Sequence, residues 1–266
     1  MSDKYSEGDE EAPTASPTGG RSTRRNLLLY DDVLGDNKAR WMETLFNNLG
    51  YPEHTKIKLR DFVLPGSHNS AAVDMSRSFS VCGGFESNLN IFKDKRNQVA
   101  KCQEKSIMDQ LKGGIRYLDL RIVDSKNFGG LRYPLHHTYL INDNVRTMEQ
   151  AMVTIQTFIN QHPYEFVVAR IKTGDCASKG RGVWKNEFWR IAERIGRNNI
   201  LVLDKKYLDS ATFESLRGKI IFDIDGSHDE LYFGGDGISG DIGNHGDPFE
   251  IARKIREADY RNARDK

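Results

Sequence analysis

In "LPGSHNSAA", residues 64–72, an apolar run ends in a lone imidazole, His68, set among small side chains. Further along, Asp119 and Arg121 stand two apart in "YLDLRIV", His137 follows His136 in "PLHHTYL", and Lys172 closes "EFVVARIK". One imidazole can take a proton from a hydroxyl, a second can protonate a leaving oxygen, and a guanidinium can hold the charge that gathers on phosphoryl oxygens. Together these are the parts of a phosphodiester cleavage that uses no metal. Taken singly each residue has a plainer explanation. A strand-end histidine is more often a hydrogen-bonded structural residue. Asp119 with Arg121 is equally readable as a structural ion pair, and Lys172 as the solvated end of a strand. Only one of His136 and His137 can enter a site, because adjacent strand residues face opposite ways.

These residues need elements to carry them. Buried strands are expected at 57–66, 114–123, 131–141, 165–172 and 218–225, where β-branched and aromatic residues cluster between turn signals. In the second of these, Asp119 and Arg121 share one face while Leu118, Leu120 and Ile122 occupy the other. Helices are expected between the strands. The clearest has Thr147 and Gln150 spaced as a capping box and Met148, Ala151, Met152, Ile155, Phe158 and Ile159 along one face. Another, from Ser106 to Lys112, runs into Gly113 and Gly114, which can supply a left-handed turn. Alternating strands and helices predict an α/β fold with a parallel sheet, open or closed into a barrel, and in such folds active sites collect at the carboxyl ends of the strands. His68, Asp119 with Arg121, His137 and Lys172 all lie at or near such ends.

Composition narrows the partners. The 39 basic side chains are balanced by 38 acidic ones, so no general field points to nucleic acid, and an anionic ligand has to be held locally. Cys82, Cys102 and Cys176 are too few and too oddly spaced for a disulfide framework or a zinc site and read as free thiols in a reducing compartment. Residues 1–26, rich in Ser, Gly, Pro and charge, are expected to be a disordered tail, with one catalytic domain over 27–266. No signal peptide or membrane-length apolar run is seen, and the expected location is cytoplasmic, with peripheral membrane contact.

The motifs, in this order, resemble the X-domain of phosphatidylinositol-specific phospholipase C. "LPGSHNS" is similar to that family's first histidine motif, "GGIRYLDLRI" to its second strand and "PLHHTYL" to its second histidine motif; "INQHPYEFVVARIK" and "LRGKIIF" are similar to its fourth and fifth strands. "KCQEKSIMDQLKGGIRYLDLR" is especially like the branch that cleaves glycosylphosphatidylinositol. The resemblance spans residues 57–225 and implies a TIM-barrel-like phosphodiesterase acting on phosphatidylinositol or its glycosylated form. It makes His68 the base on the inositol 2-hydroxyl, His137 the acid for the diacylglycerol oxygen, Arg121 the cation on the phosphorane and Asp119 the residue orienting it. Metal-dependent members carry an acidic calcium ligand at the position of Arg121. A fixed cation there implies calcium independence and no cofactor, although Asn69 resembles the asparagine those members use. Lys172 is expected to bind substrate. Asp223 and Asp225 stand where many relatives place basic headgroup ligands, which implies either binding to inositol hydroxyls or a glucosamine amine, or that phosphorylated inositides are poor substrates. Phe79, Val81, Phe85, Ile91 and Phe92 offer an apolar rim for membrane contact, or equally fill the core beneath a long loop.

Past Asp225 the likeness frays. The family adds three strands and a late acidic partner for the first histidine, whereas this chain offers the Gly- and Asp-rich stretch "GSHDELYFGGDGISGDIGNHGDP" and a charged helix from about Pro248. The barrel is therefore expected to be incomplete or distorted on its C-terminal side. That leaves a second reading open, a degenerate, non-catalytic module binding a lipid or inositol phosphate. A glycerophosphodiesterase or sphingomyelinase-like barrel, which clusters carboxylates around a metal, fits less well because Arg121 would disrupt such a cluster.

Overall fold

The computed structural model describes residues 37–50, 52, 55–59, 64–76, 80–81, 96–173, 183–202 and 210–224. Its centre is a five-stranded sheet with only parallel pairings. Across the sheet, with numbering in chain order, the strands run β1 (Gly66–Ser67), β2 (Tyr117–Ile122), β5 (Val167–Thr173), β7 (Ile220–Asp223) and β6 (Ile200–Val202). The α/β class with a parallel sheet is as expected. Among the described residues the sheet stays open, with β1 and β6 as its two edges, as an incomplete barrel would. The edge strand β6 was not foreseen, and it lies beyond β7 instead of between β5 and β7.

Two expected strands need correction. Residues 131–141 do not form one strand but a tight reversal, in which β3 (His136–His137) pairs antiparallel with β4 (Tyr139–Leu140). Thr138, at φ +61°, turns the chain between them, a conformation that a β-branched residue rarely adopts. Within 57–66, Lys58 makes an antiparallel bridge to Thr212, and parallel pairing with β2 begins only at Gly66. A Cβ on Gly66 would come within 3.2 Å of the Tyr117 Cβ, so the close approach of β1 to β2 is tied to glycine. Residues 60–63 lie outside the described set, as do the tail at 1–26, Cys82, Cys176, Phe79, Phe85, Ile91, Phe92, Asp225, the Gly/Asp stretch and the expected last helix.

One face of the sheet is a continuous apolar layer. Leu118, Leu120, Ile122, Val167, Ala169, Ile171, Ile220 and Phe222 pack under α3 (Ile107–Lys112), α4 (Met148–Gln161) and α5 (Trp184–Gly196). The expected stripe of α4, from Met148 to Ile159, is buried there, and each of its Met, Ile and Phe side chains contributes roughly 1.5–3 kcal/mol. The Thr147 hydroxyl caps the helix by accepting from the Gln150 amide. Gln150 reaches back to the Arg146 amide, one residue before the cap, so the capping box is offset. Helix α3 is capped by Ser106 and ended by Gly114 at φ +101°, which turns the chain directly into β2.

The other face changes character along the strands. Its first row, Tyr117, Val168 and Ile221 in register, is apolar and packs on Trp41 and Met42 of α1 (Trp41–Leu49) and on Phe213 and Leu216 of α6 (Phe213–Leu216). The next row is Asp119, Arg170 and Asp223, and the row above that pairs Arg121 with Lys172. Polarity thus rises toward the carboxyl ends of the strands, where three cations meet two carboxylates. Among the described residues no helix is long and apolar enough to cross a membrane.

Candidate active site

His68 follows β1 in a tight turn, 67–70, that is hydrogen-bonded to β2. The amide of Asn69 donates to Asp119 Oδ2 at 3.2 Å, the amide of Ser70 donates to the Asp119 carbonyl at 2.8 Å, and the amide of Asp119 donates to Ser70 Oγ at 2.8 Å. Asn69 takes the left-handed conformation, φ +46°, that the turn requires and that Asn tolerates. The exposed ring of His68 then meets the buried Asp119 carboxylate, with Nδ1 and Oδ2 3.1 Å apart. Burial alone pushes that carboxyl up. The His68 hydrogen bond, the Arg121 charge and the Asn69 amide outweigh burial and bring it down to about 2. An ionised carboxylate only accepts, so Nδ1 carries the hydrogen, and the lone pair with which the ring can act as a base belongs to Nε2.

Arg121 borders that lone pair. Its Nη2 lies 3.5 Å from His68 Nε2 and 3.4 Å from Asp119 Oδ2, both long contacts, and its Nε has no partner among the described residues. Such a guanidinium keeps donors for an anion. Lys172 stands beside it in register on β5. Asp119 thus contacts both groups, Arg121 at 3.4 Å and His68 at the shorter 3.1 Å.

Of the histidine pair, His136 is buried, whereas His137 is half-buried and near enough to Arg121 to feel its charge. His137 Nδ1 is 2.7 Å from the Ala100 carbonyl and 3.4 Å from Cys102 Sγ. A carbonyl only accepts, so Nδ1 is again protonated and Nε2 is left to gain and lose a proton. Cys102 joins the two imidazole segments, since the buried Asn69 donates through Nδ2 to its sulfur at 3.7 Å. The Cys102 hydrogen bond is the main cause raising His137 above an ordinary imidazole. Burial and Arg121 oppose the rise, and the Ala100 carbonyl supports it. Burial pushes the Cys102 thiol up, but His137, Asn69 and Arg121 outweigh it and the thiol falls below its usual value. In a Cys102→Ala variant the His137 titration, followed by NMR of its ring protons, therefore moves to lower pH. A midpoint that stays put or rises would show that the sulfur does not hold the proton on His137.

The remaining expected residues are accounted for as follows. Asp223 is 2% exposed and its Oδ2 lies 3.8 Å from Arg170 Nε, in the row beneath Arg121 and Lys172. Asp225 is outside the described residues. Two residues of the site carry no sequence signal of their role: Cys102, which the sequence shows only as a free thiol, and Arg170, which lies two before Lys172 and so on the same strand face. A third is Gln103, whose Nε2 donates to the His68 carbonyl at 2.7 Å. Among the described residues no group of three or more His, Cys, Asp or Glu is placed to hold a metal ion.

No family model matches the chain, and no curated protein matches it. Solved structures do. A phosphatidylinositol-specific phospholipase C from Staphylococcus aureus aligns at 18% identity and a TM-score of 0.49, over 72% of this chain and 54% of that one. The phosphatidylinositol-specific phospholipase C of Listeria monocytogenes aligns at 18% and 0.46, over 71% and 57%. A calcium-dependent phosphoinositol-specific phospholipase C from Pseudomonas aligns at 12% and 0.40, over 68% and 62%. The chain spans little more than half the length of the first two. In fold, it is similar to the bacterial phosphatidylinositol-specific phospholipases C.

Proposed function

We propose that this chain is a metal-independent phosphodiesterase that cleaves phosphatidylinositol or glycosylphosphatidylinositol. The observation supporting this most directly is a pair of imidazoles, each with Nδ1 tied back, of which His68 lies 3.5 Å from the Arg121 guanidinium and His137 lies near enough to feel its charge. In the proposed reaction His68 Nε2 takes the proton of the inositol 2-hydroxyl, whose oxygen attacks phosphorus. The bond from phosphorus to the diacylglycerol oxygen breaks, and His137 Nε2 protonates that oxygen as it leaves. Arg121 balances the charge on the phosphoryl oxygens. Attack by a hydroxyl of the same molecule avoids the entropy of capturing water, so a cyclic inositol phosphate forms first, and water then opens it with the two histidines exchanging roles. Asn69 ties the His68 turn to Cys102. Lys172 and Asp225 are assigned to the headgroup, the carboxylate to an inositol hydroxyl or a glucosamine amine, while the buried Asp223 acts from beneath through Arg170. The headgroup itself rests on the motif resemblance.

Arg121 occupies the space beside His68 where a divalent cation would be repelled, which supports calcium independence. The test is the purified protein on phosphatidylinositol vesicles, with and without chelator, read by release of cyclic inositol phosphate. Equal rates are expected. Activity that vanished with chelator and returned with calcium would overturn the metal-free mechanism. Vesicle binding without release of product from either lipid would favour the non-catalytic lipid-binding module.

A further inference from the structure

A single buried side chain on α3 spans both ends of the turn that carries His68. Gln110, 6% exposed, accepts through Oε1 from the Ser67 hydroxyl at 2.6 Å, and through Nε2 it donates to the Ser70 carbonyl at 2.7 Å and to the Lys105 carbonyl at 2.7 Å. Ser70, fully buried, closes the turn by donating from Oγ to the Ser67 carbonyl at 2.9 Å. The same Oγ accepts from the Asp119 amide. His68 and Asn69 are therefore held from below by a network that also grips the strand carrying Asp119 and Arg121. The His68 ring itself is 59% exposed, so little packing fixes it and its direction depends on the turn. A turn with a residue at φ +46° keeps that shape only while its surroundings over-determine it.

We infer that Gln110 is a positioning residue for the acid-base chemistry, holding His68 Nδ1 on Asp119 by fixing both ends of the 67–70 turn. The inference rests on the phosphodiesterase reading above. Misplacing a reacting group by about 1 Å can cost on the order of 10²-fold in rate. Gln110→Met keeps the side-chain length but removes every polar contact, and Gln110→Glu turns an acceptor toward two carbonyls. Each should lower kcat on phosphatidylinositol vesicles by at least about 10-fold with KM little changed, measured well below the melting temperature of each variant. Ser67→Ala removes the Oε1 contact together with the 2.7 Å contact of the Ser67 hydroxyl to Ser70 Oγ, leaves both Nε2 bonds of Gln110 in place, and should give a smaller defect of the same kind, which keeps the test open if the Gln110 variants fold poorly.

The decisive arm is non-additivity. A soluble inositol phosphodiester with a nitrophenyl leaving group needs little help from His137 and allows slow turnover to be read in a His68→Ala background. If Gln110 acts through His68, adding Gln110→Met or Ser67→Ala there costs nothing further. Wild-type kcat in both the Gln110→Met and Ser67→Ala variants, or the same fold-loss with and without His68, would overturn the inference. A wild-type protein that releases no product, or a His68→Ala variant with full turnover, would instead defeat the phosphodiesterase reading.

Discussion

Replacing His68 or His137 with Ala is expected to lower kcat by about 10²–10⁴-fold each, with the melting temperature nearly unchanged. The fold tolerates both changes for the same reason that the site works: neither ring is part of the core. His68 has a side chain 59% exposed, and His137 is half-buried against a backbone carbonyl and a thiol. The two losses should not multiply. Base and acid act in the same transition state, so removing one already forfeits most of what the pair supplies, and Arg121 with substrate binding accounts for what remains. The Asp119 carboxyl, held at about 2, stays ionised across the working range and contributes no limb to the pH profile. Steady-state turnover on phosphatidylinositol vesicles, alongside thermal melts, checks this. Wild-type turnover in both single variants would mean that these imidazoles do not carry the reaction.

Much of this site was legible in the sequence because period-2 alternation is a local rule. Asp119 and Arg121 were placed on one strand face by spacing alone, and their contacts bear this out. The same rule applied to "VARIKT" would have put Arg170 with Lys172. What local rules cannot supply is the partner from elsewhere in the chain. That His68 would find Asp119, and His137 would find Cys102, depends on how β1 lies against β2 and how β3 lies over the residues after α2 (Arg96–Ala100). The hairpin at 136–140 was misread as one strand because its reversal hangs on Thr138, a residue type with no turn signature. β6 went unseen because three residues, Ile200–Val202, are too few to show alternation. Among the described residues the open sheet fits the fading of strand signals after Asp225.

The largest expected loss of stability lies at the opposite end of the strands, in an ion pair that composition and spacing gave no reason to single out. Arg116, directly before β2, and Glu165, two before β5, are both fully buried, with Nη2 2.6 Å and Nε 2.9 Å from Glu165 Oε2. Arg116 also donates to the carbonyls of Leu111, Ile115 and Ala39 and lies over the rings of Trp41 and Phe158. Glu165 also accepts from the amides of Met42 and Glu43, so a carboxylate from a distant loop caps α1. Arg116→Met leaves that carboxylate buried without its cation and should cost about 3–5 kcal/mol, a fall in melting temperature on the order of 10 °C. Arg116→Met combined with Glu165→Leu should cost less than the two single changes added together, because no buried charge is then left alone. It should still melt below the wild type, since the amides of α1 lose their cap. Denaturant melts of the three variants decide the matter, and strictly additive losses would refute the coupling. The pair ties together the segments just ahead of β2 and β5, and parallel register carries that alignment upward to Asp119 beside Arg170 and Arg121 beside Lys172. The salt bridge at the foot of the sheet thereby sets the height at which the cations stand in the site above it.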